Sequence, residues 1–122
     1  HLEETQGQIE RIEKIAKICG LKLAKETCEA MQGLIKEGDQ MMKNIKDKNV
    51  LDAALITAAQ KVEHYEIASY GSLLALGKCL DLDKEALNLL EENLNEEKAT
   101  DEKLTQLAED EGINENALKE AA

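Results

Sequence analysis

Proline, phenylalanine and tryptophan are absent from these 122 residues, and the aromatic complement is two tyrosines. Without proline nothing forces a helix to break. With Ala, Leu, Glu and Lys plentiful, the composition predicts an all-α chain and argues against strands. A core with so few rings is assembled from Leu, Ile, Val, Ala and Met, many small contacts replacing a few large anchors. Cys19, Cys28 and Cys79 are an odd number without CxxC spacing, so neither a zinc knuckle nor a disulfide framework is indicated. They read as small buried hydrophobes in a reducing cytosol, so the expected location is cytoplasmic. No run approaches the ~20 apolar residues of a membrane span, and no charged-then-apolar leader opens the chain. His1 stands inside a helix-like pattern with no Met or cap before it, so the natural chain is expected to begin upstream.

Cations are scarce beside anions: the net charge is −11. That field repels phosphate backbones and anionic lipid, which argues against nucleic acid or a membrane surface as partner and makes metal cations the natural ligands. The length predicts a single domain over residues 1–122 that removes about two thirds of its unfolded surface from water.

Along the chain, Ile9, Ile12, Ile15 and Ile18, with Leu2 further back, predict an amphipathic helix over about 1–18, closed by Gly20. A shorter helix over about 27–45 carries Met31, Leu34, Ile35, Met41 and Met42, with Thr27 as its cap and Gly33 and Gly38 as weak points. It reads as a strap that lets the flanking long helices run in the same direction, as a crossover bundle requires. A central helix over about 49–78, capped by Asn49, precedes a turn at 79–83 and a last long helix over about 83–110. Gly112 ends that helix, and residues 114–121 are left as one or two frayed turns.

The central helix organises the rest. At roughly 100° per residue, Leu55, Ile56, Ala59, Val62, Ile67, Tyr70, Leu73 and Leu74 form one apolar stripe, and Glu63 and Glu66 fall inside it. The last helix repeats the anomaly: its stripe is Ala86, Leu90, Leu94, Leu104 and Ala108, with Glu97 at the middle and Asp101 about 40° aside. Glu4 lies near the apolar flank of the first helix, one turn after His1. A carboxylate removed from water must be protonated, paired or bound to metal. Pairing with Lys or Arg11 competes with the metal reading. Oxygen-rich, thiolate-free donors suit Fe, Mn or Mg, and helix bundles hold carboxylate-bridged di-metal centres with a Glu from each of two helices and Glu-x-x-His from two others. Here the positions three on from Glu4 and Glu97 are Gly7 and Thr100, so neither histidine of that scheme is present. His64 sits at the core edge, and the acids Glu91, Glu92 and Glu96 read as a solvated face.

The strings HLEETQGQIERI at 1–12, TCEAMQGLI at 27–35, DAALITAAQKVEHYEIASYG at 52–71 and EEKATDEKL at 96–104 closely resemble the YciE/YciF-type family of bacterial ferritin-like proteins. The resemblance implies a ferritin-like antiparallel four-helix bundle with a crossover connection, in a stress-associated cytoplasmic protein that dimerises. It assigns metal-ligand positions to Glu4, Glu63, Glu66, Glu97 and Asp101. Family members carry another long helix before the position of His1. Without it, three long helices leave an apolar groove that a missing segment or a second copy would cover.

Two functional readings follow. The first is a stress-associated protein holding an Fe or Mn di-metal centre, with peroxide or oxygen chemistry. The second is a non-enzymatic dimeric interaction module with a degenerate metal site. A homodimer or higher homo-oligomer is expected in both, and whether any reaction is catalysed is left open. Acyl or phosphoryl transfer finds no support, since the sequence has no Ser/Cys nucleophile motif and no glycine-rich phosphate loop.

Overall fold

The computed structural model describes residues 1–109 and 112–121. Five α-helices and no strand occur among them: α1 Leu2–Ile18, α2 Glu29–Asn44, α3 Lys48–Cys79, α4 Lys84–Glu109 and α5 Ile113–Ala121. The protein is therefore of the all-α class, as its composition predicts. The expected end of the last long helix at Asp110 lies outside the described residues. The stretch expected to fray at 114–121 is helical, as part of α5.

The chain forms two compact units. The first comprises His1–Glu26 and Glu66–Thr100, and so holds α1, the second half of α3 and most of α4. Its core is Ile15, Tyr70, Leu74, Ala86, Leu90 and Leu94, with Ile12, Ile18, Ile67, Leu87 and Leu89 packed against it. Fully burying one such aliphatic side chain contributes about 1.5–3 kcal/mol, which makes this cluster the main stabilising feature of the unit. In α1 the buried register is Gln8, Ile15 and Ala16. Ile9 falls about 100° from Gln8 and is left exposed, as is Leu2. Leu73, expected in the α3 stripe, is 50% exposed, and Tyr70 and Leu74 on either side of it carry the contact.

Two helix ends in this unit share one construction. Leu21 N–H donates to Ala16 O (2.8 Å) and Gly20 N–H to Lys17 O (3.2 Å), with Gly20 at φ +64°. Leu82 N–H donates to Gly77 O (3.0 Å) and Asp81 N–H to Lys78 O (3.3 Å), with Asp81 at φ +52°. Each is a Schellman stop, in which a left-handed residue satisfies the last carbonyls. Glycine fits it without strain, and aspartate is among the few residues that tolerate it. Asp83 then caps α4, its Oδ1 accepting from Glu85 N–H at 2.7 Å. A turn this short makes α3 and α4 antiparallel neighbours here. They approach closely enough that a Cβ on Gly77 would stand 2.8 Å from Leu87 Cδ2.

The second unit comprises Thr27–Tyr65 and the described residues from Asp101 onward. It has few enclosed side chains: Ala58 and Glu63 are buried, and α2 buries none. Its helix starts correct two expected caps. Cys28, not Thr27, caps α2, Sγ accepting from Met31 N–H at 3.4 Å. Asp47, not Asn49, serves α3, Oδ1 accepting from Val50 N–H at 2.9 Å. The cysteines also depart from expectation, since Cys28 and Cys79 are exposed and Cys19 is half-buried. Lys61 ties α3 to α2 through Glu37 at 2.8 Å.

Two glycines with open space around the missing Cβ should respond oppositely to alanine. Gly20 has positive φ, so Gly20→Ala is expected to destabilise by roughly 1 kcal/mol. Gly33 lies inside α2, so Gly33→Ala is expected to stabilise by up to about 1 kcal/mol. Urea denaturation of both variants checks the pair, and equal signs would contradict it.

Candidate functional site

Acidic side chains enter the interior of the first unit from two helices. Leu90 and Leu94, and likewise Asn93 and Glu97, stand four residues apart along α4, and all four are buried. Helix periodicity thus gives Glu97 a core position, where it is 1% exposed. Its Oε2 makes no hydrogen bond among the described residues. Glu66 is half-buried on α3. Burial, and then the nearby charge of Glu97, push its carboxyl above the ordinary value. Two desolvated acids therefore repel each other here.

The start of α1 completes this end of the unit. His1 Nδ1 lies 3.2 Å from Glu4 Oε2 and 3.1 Å from Thr100 Oγ1. A ring nitrogen of His1 and a carboxylate oxygen of Glu97 lie within 4.8 Å of one another. His1 thus occupies the neighbourhood that Thr100 leaves without an imidazole of its own. Glu66 and Glu97 act on each other by charge, His1 lies beside Glu97 and Glu4 beside His1: oxygen-rich chemistry with one imidazole, of the kind that suits Fe or Mn.

The other expected ligands belong to the second unit. Glu63 is buried, at 4% exposure, one turn before Glu66 along α3. Asp101 is engaged through both oxygens: Oδ2 lies 3.1 Å from His64 Nε2, and Oδ1 accepts from Gln60 Nε2 at 3.4 Å. Gln60 also donates to Thr105 Oγ1 at 2.9 Å. His64 is largely in solvent, at 67% side-chain exposure, so its ring steadies Asp101 from outside.

A polar network beside the core acids is the feature that sequence reasoning missed. Gln8 (2% exposed) and Asn93 (0%) are buried. Tyr70 O–H donates to Gln8 Oε1 at 3.0 Å, and Gln8 Nε2 donates to Glu96 Oε2 at 3.1 Å. Asn93 Nδ2 donates to Gln8 O at 3.4 Å. Arg11 donates from Nε to Asn93 Oδ1 and from its terminal nitrogens to Glu92 and Glu96. The ion pairs of Arg11 thus run to the acids read as a solvated face, and Glu96 is half-buried by them. Burial, more than any other influence, pushes the Tyr70 hydroxyl up; a hydrogen bond with the Asn93 side chain works against it, and the charges of Glu66 and Glu97 add to the rise. The available signal was Gln8 and Asn93 sitting in apolar registers, as the acids do.

Chains of this kind form a family of all-helical proteins. Residues 1–118 match the family described as a domain of unknown function, DUF892, and the chain belongs to it. It is 55% identical over 109 residues to protein YciF of Escherichia coli K12, a match covering 88% of this chain and 65% of that protein. The chain thus spans just under two thirds of the length of this curated relative. The crystal structure of the E. coli stress protein YciF superposes with a TM-score of 0.84 at 54% identity, over 88% of this chain and 68% of that one. YcfI of Rhodopseudomonas palustris, described as a candidate structural protein, superposes with a TM-score of 0.81 at 50% identity, over 86% and 66%. These matches fix the architecture as a helical bundle.

The raised Glu66 carboxyl has a definite sign in stability. The folded state holds this proton more tightly than the unfolded chain, whose glutamates titrate near about 4.3. In the metal-free protein the contribution is complete below that value and is lost as pH rises through the folded-state value. Glu66→Gln is therefore expected to raise metal-free stability at neutral pH and to flatten its fall as pH rises above the ordinary glutamate value of about 4.3. Urea midpoints followed over that rise check this; an unchanged slope would contradict it.

Proposed function

We propose that the chain is a stress-associated cytoplasmic protein whose carboxylates hold a di-metal centre of Fe or Mn, with Glu66 and Glu97 as its principal ligands. The observation that carries this reading is the buried Glu97 carboxylate, which has one oxygen without a hydrogen bond and lies near enough to Glu66 to raise its pKa. Buried charges persist when they are paired or coordinate a metal, and a divalent cation between two acids turns their repulsion into attraction. His1 stands beside Glu97 and Glu4 beside His1, and Glu63 lies one turn before Glu66 along α3; Glu63 and Asp101 are the further ligand positions of this reading. A bound transition metal would supply peroxide or oxygen chemistry. The similarity to a stress protein agrees with that use.

A second reading, a dimeric helical interaction module with a degenerate metal site, is favoured by one observation: Gly7 and Thr100 occupy the two positions where bundle di-metal centres carry histidine. Large apolar side chains at the surface, among them Leu21, Leu76 and Leu80, would serve a partner helix or a second copy.

Metal loading separates the two. After incubation with Fe(II) or Mn(II) and gel filtration, elemental analysis is expected to find about two metal ions per chain, lost in a Glu66→Ala, Glu97→Ala double variant. Peroxide consumption by the iron-loaded protein is expected to track the metal content. A protein that retains neither metal, or a double variant that retains both ions, would refute the first reading.

A further inference from the structure

The buried network beside the acids contains a choice of hydrogen-bond direction. Tyr70 stands four residues after Glu66 on α3, its hydroxyl bonded to Gln8 and lying in the field of the Glu66 and Glu97 charges. A phenol so placed would ordinarily give its proton to an ionised neighbour, because a hydrogen bond to a charged acceptor is the stronger one. Here the Tyr70 proton goes instead to Gln8 Oε1 at 3.0 Å.

The orientation of the Gln8 amide follows from what surrounds it. Its nitrogen faces Glu96 Oε2 at 3.1 Å, and a carboxylate can only accept. Flipping the amide would set its carbonyl oxygen against that anion. Glu96 is held in turn by the Arg11 guanidinium, which also grips Asn93, and Asn93 anchors the Gln8 backbone carbonyl at 3.4 Å. Each link fixes the next, and the chain ends at the hydroxyl of Tyr70.

We infer that Gln8 is a positioning residue that captures the Tyr70 hydroxyl proton and so withholds it from the Glu66 and Glu97 carboxylates, with Glu96 and Arg11 setting the sense of its amide. The consequence concerns the proposed centre, and the inference rests on that reading for its use. Carboxylates that receive no protein hydrogen bond keep their lone pairs for a cation, and the orphaned Oε2 of Glu97 is the visible result. Tyr70 then closes the site as a neutral wall that competes with the metal for nothing.

Two readouts test this in the intact protein. The tyrosine Fermi doublet in ultraviolet resonance Raman reports whether a phenol donates or accepts. With only two tyrosines present, a Tyr65→Phe background isolates Tyr70. In metal-free protein, Gln8→Leu is expected to shift the doublet toward a stronger donor as the hydroxyl turns to the carboxylates. Glu96→Gln, which lets the amide flip while keeping its volume, is expected to shift it in the same direction and guards against a folding defect in the first variant. Mn(II) binding followed by electron paramagnetic resonance is expected to weaken roughly tenfold in Gln8→Leu, the worth of one hydrogen bond to a charged group. Adding Tyr70→Phe should restore it. An unmoved doublet in both variants, or weakening that Tyr70→Phe does not reverse, would overturn the inference. Should the wild type bind no Mn(II), the reading of the centre fails, while the metal-free spectra still decide where the Tyr70 proton goes.

Discussion

Removing a carboxylate from water costs several kcal/mol unless something answers its charge, and that constraint sets the terms for the interior of the first unit. Glu97 is buried one turn beyond Leu94 on α4, with one oxygen that accepts no hydrogen bond among the described residues. Glu66 faces it from α3 and is driven toward its protonated form. Apolar packing of Ile15, Tyr70, Leu74, Ala86, Leu90 and Leu94 pays for holding the two acids in place.

The polar side chains around that pair are arranged to leave it alone. Arg11, partly buried nearby, spends its charge on Glu92 and Glu96. Asn93, one turn before Glu97 on the same face, serves Gln8, Arg11 and Tyr70. Tyr70 serves Gln8. Arg11, Asn93 and Tyr70 are thus committed to Gln8, to one another and to Glu92 and Glu96. Buried polar networks of this kind specify a geometry only when each member is satisfied, and here the unsatisfied atom belongs to an acid suited to a cation.

The same helical periodicity explains what could and could not be read from the sequence. It placed Glu63 and Glu97 on interior registers, where they are buried, and it marked Gly20 as a stop, where φ is positive. The all-α class followed from the missing proline and aromatics. Caps were less legible, because capping depends on the backbone angles of one residue: a thiol at Cys28 and the carboxylate of Asp47 took the positions expected for Thr27 and Asn49. Wheel arithmetic also treats apolar residues as alike, so Ile9 and Leu73 were drawn into stripes from which the structure excludes them, while Gln8 and Asn93 were passed over as polar. The pairing of Arg11 with Glu96, and of His64 with Asp101, joins residues far apart in the chain and left no local trace.

The central claim, that Glu66 and Glu97 share a multivalent cation, is tested most directly by an anomalous-difference map from a crystal grown with iron or manganese and collected at that element's absorption edge. A strong peak within coordination distance of both carboxylates is the expected result. A featureless map there, with the two side chains hydrogen-bonded to each other through a shared proton, would contradict it.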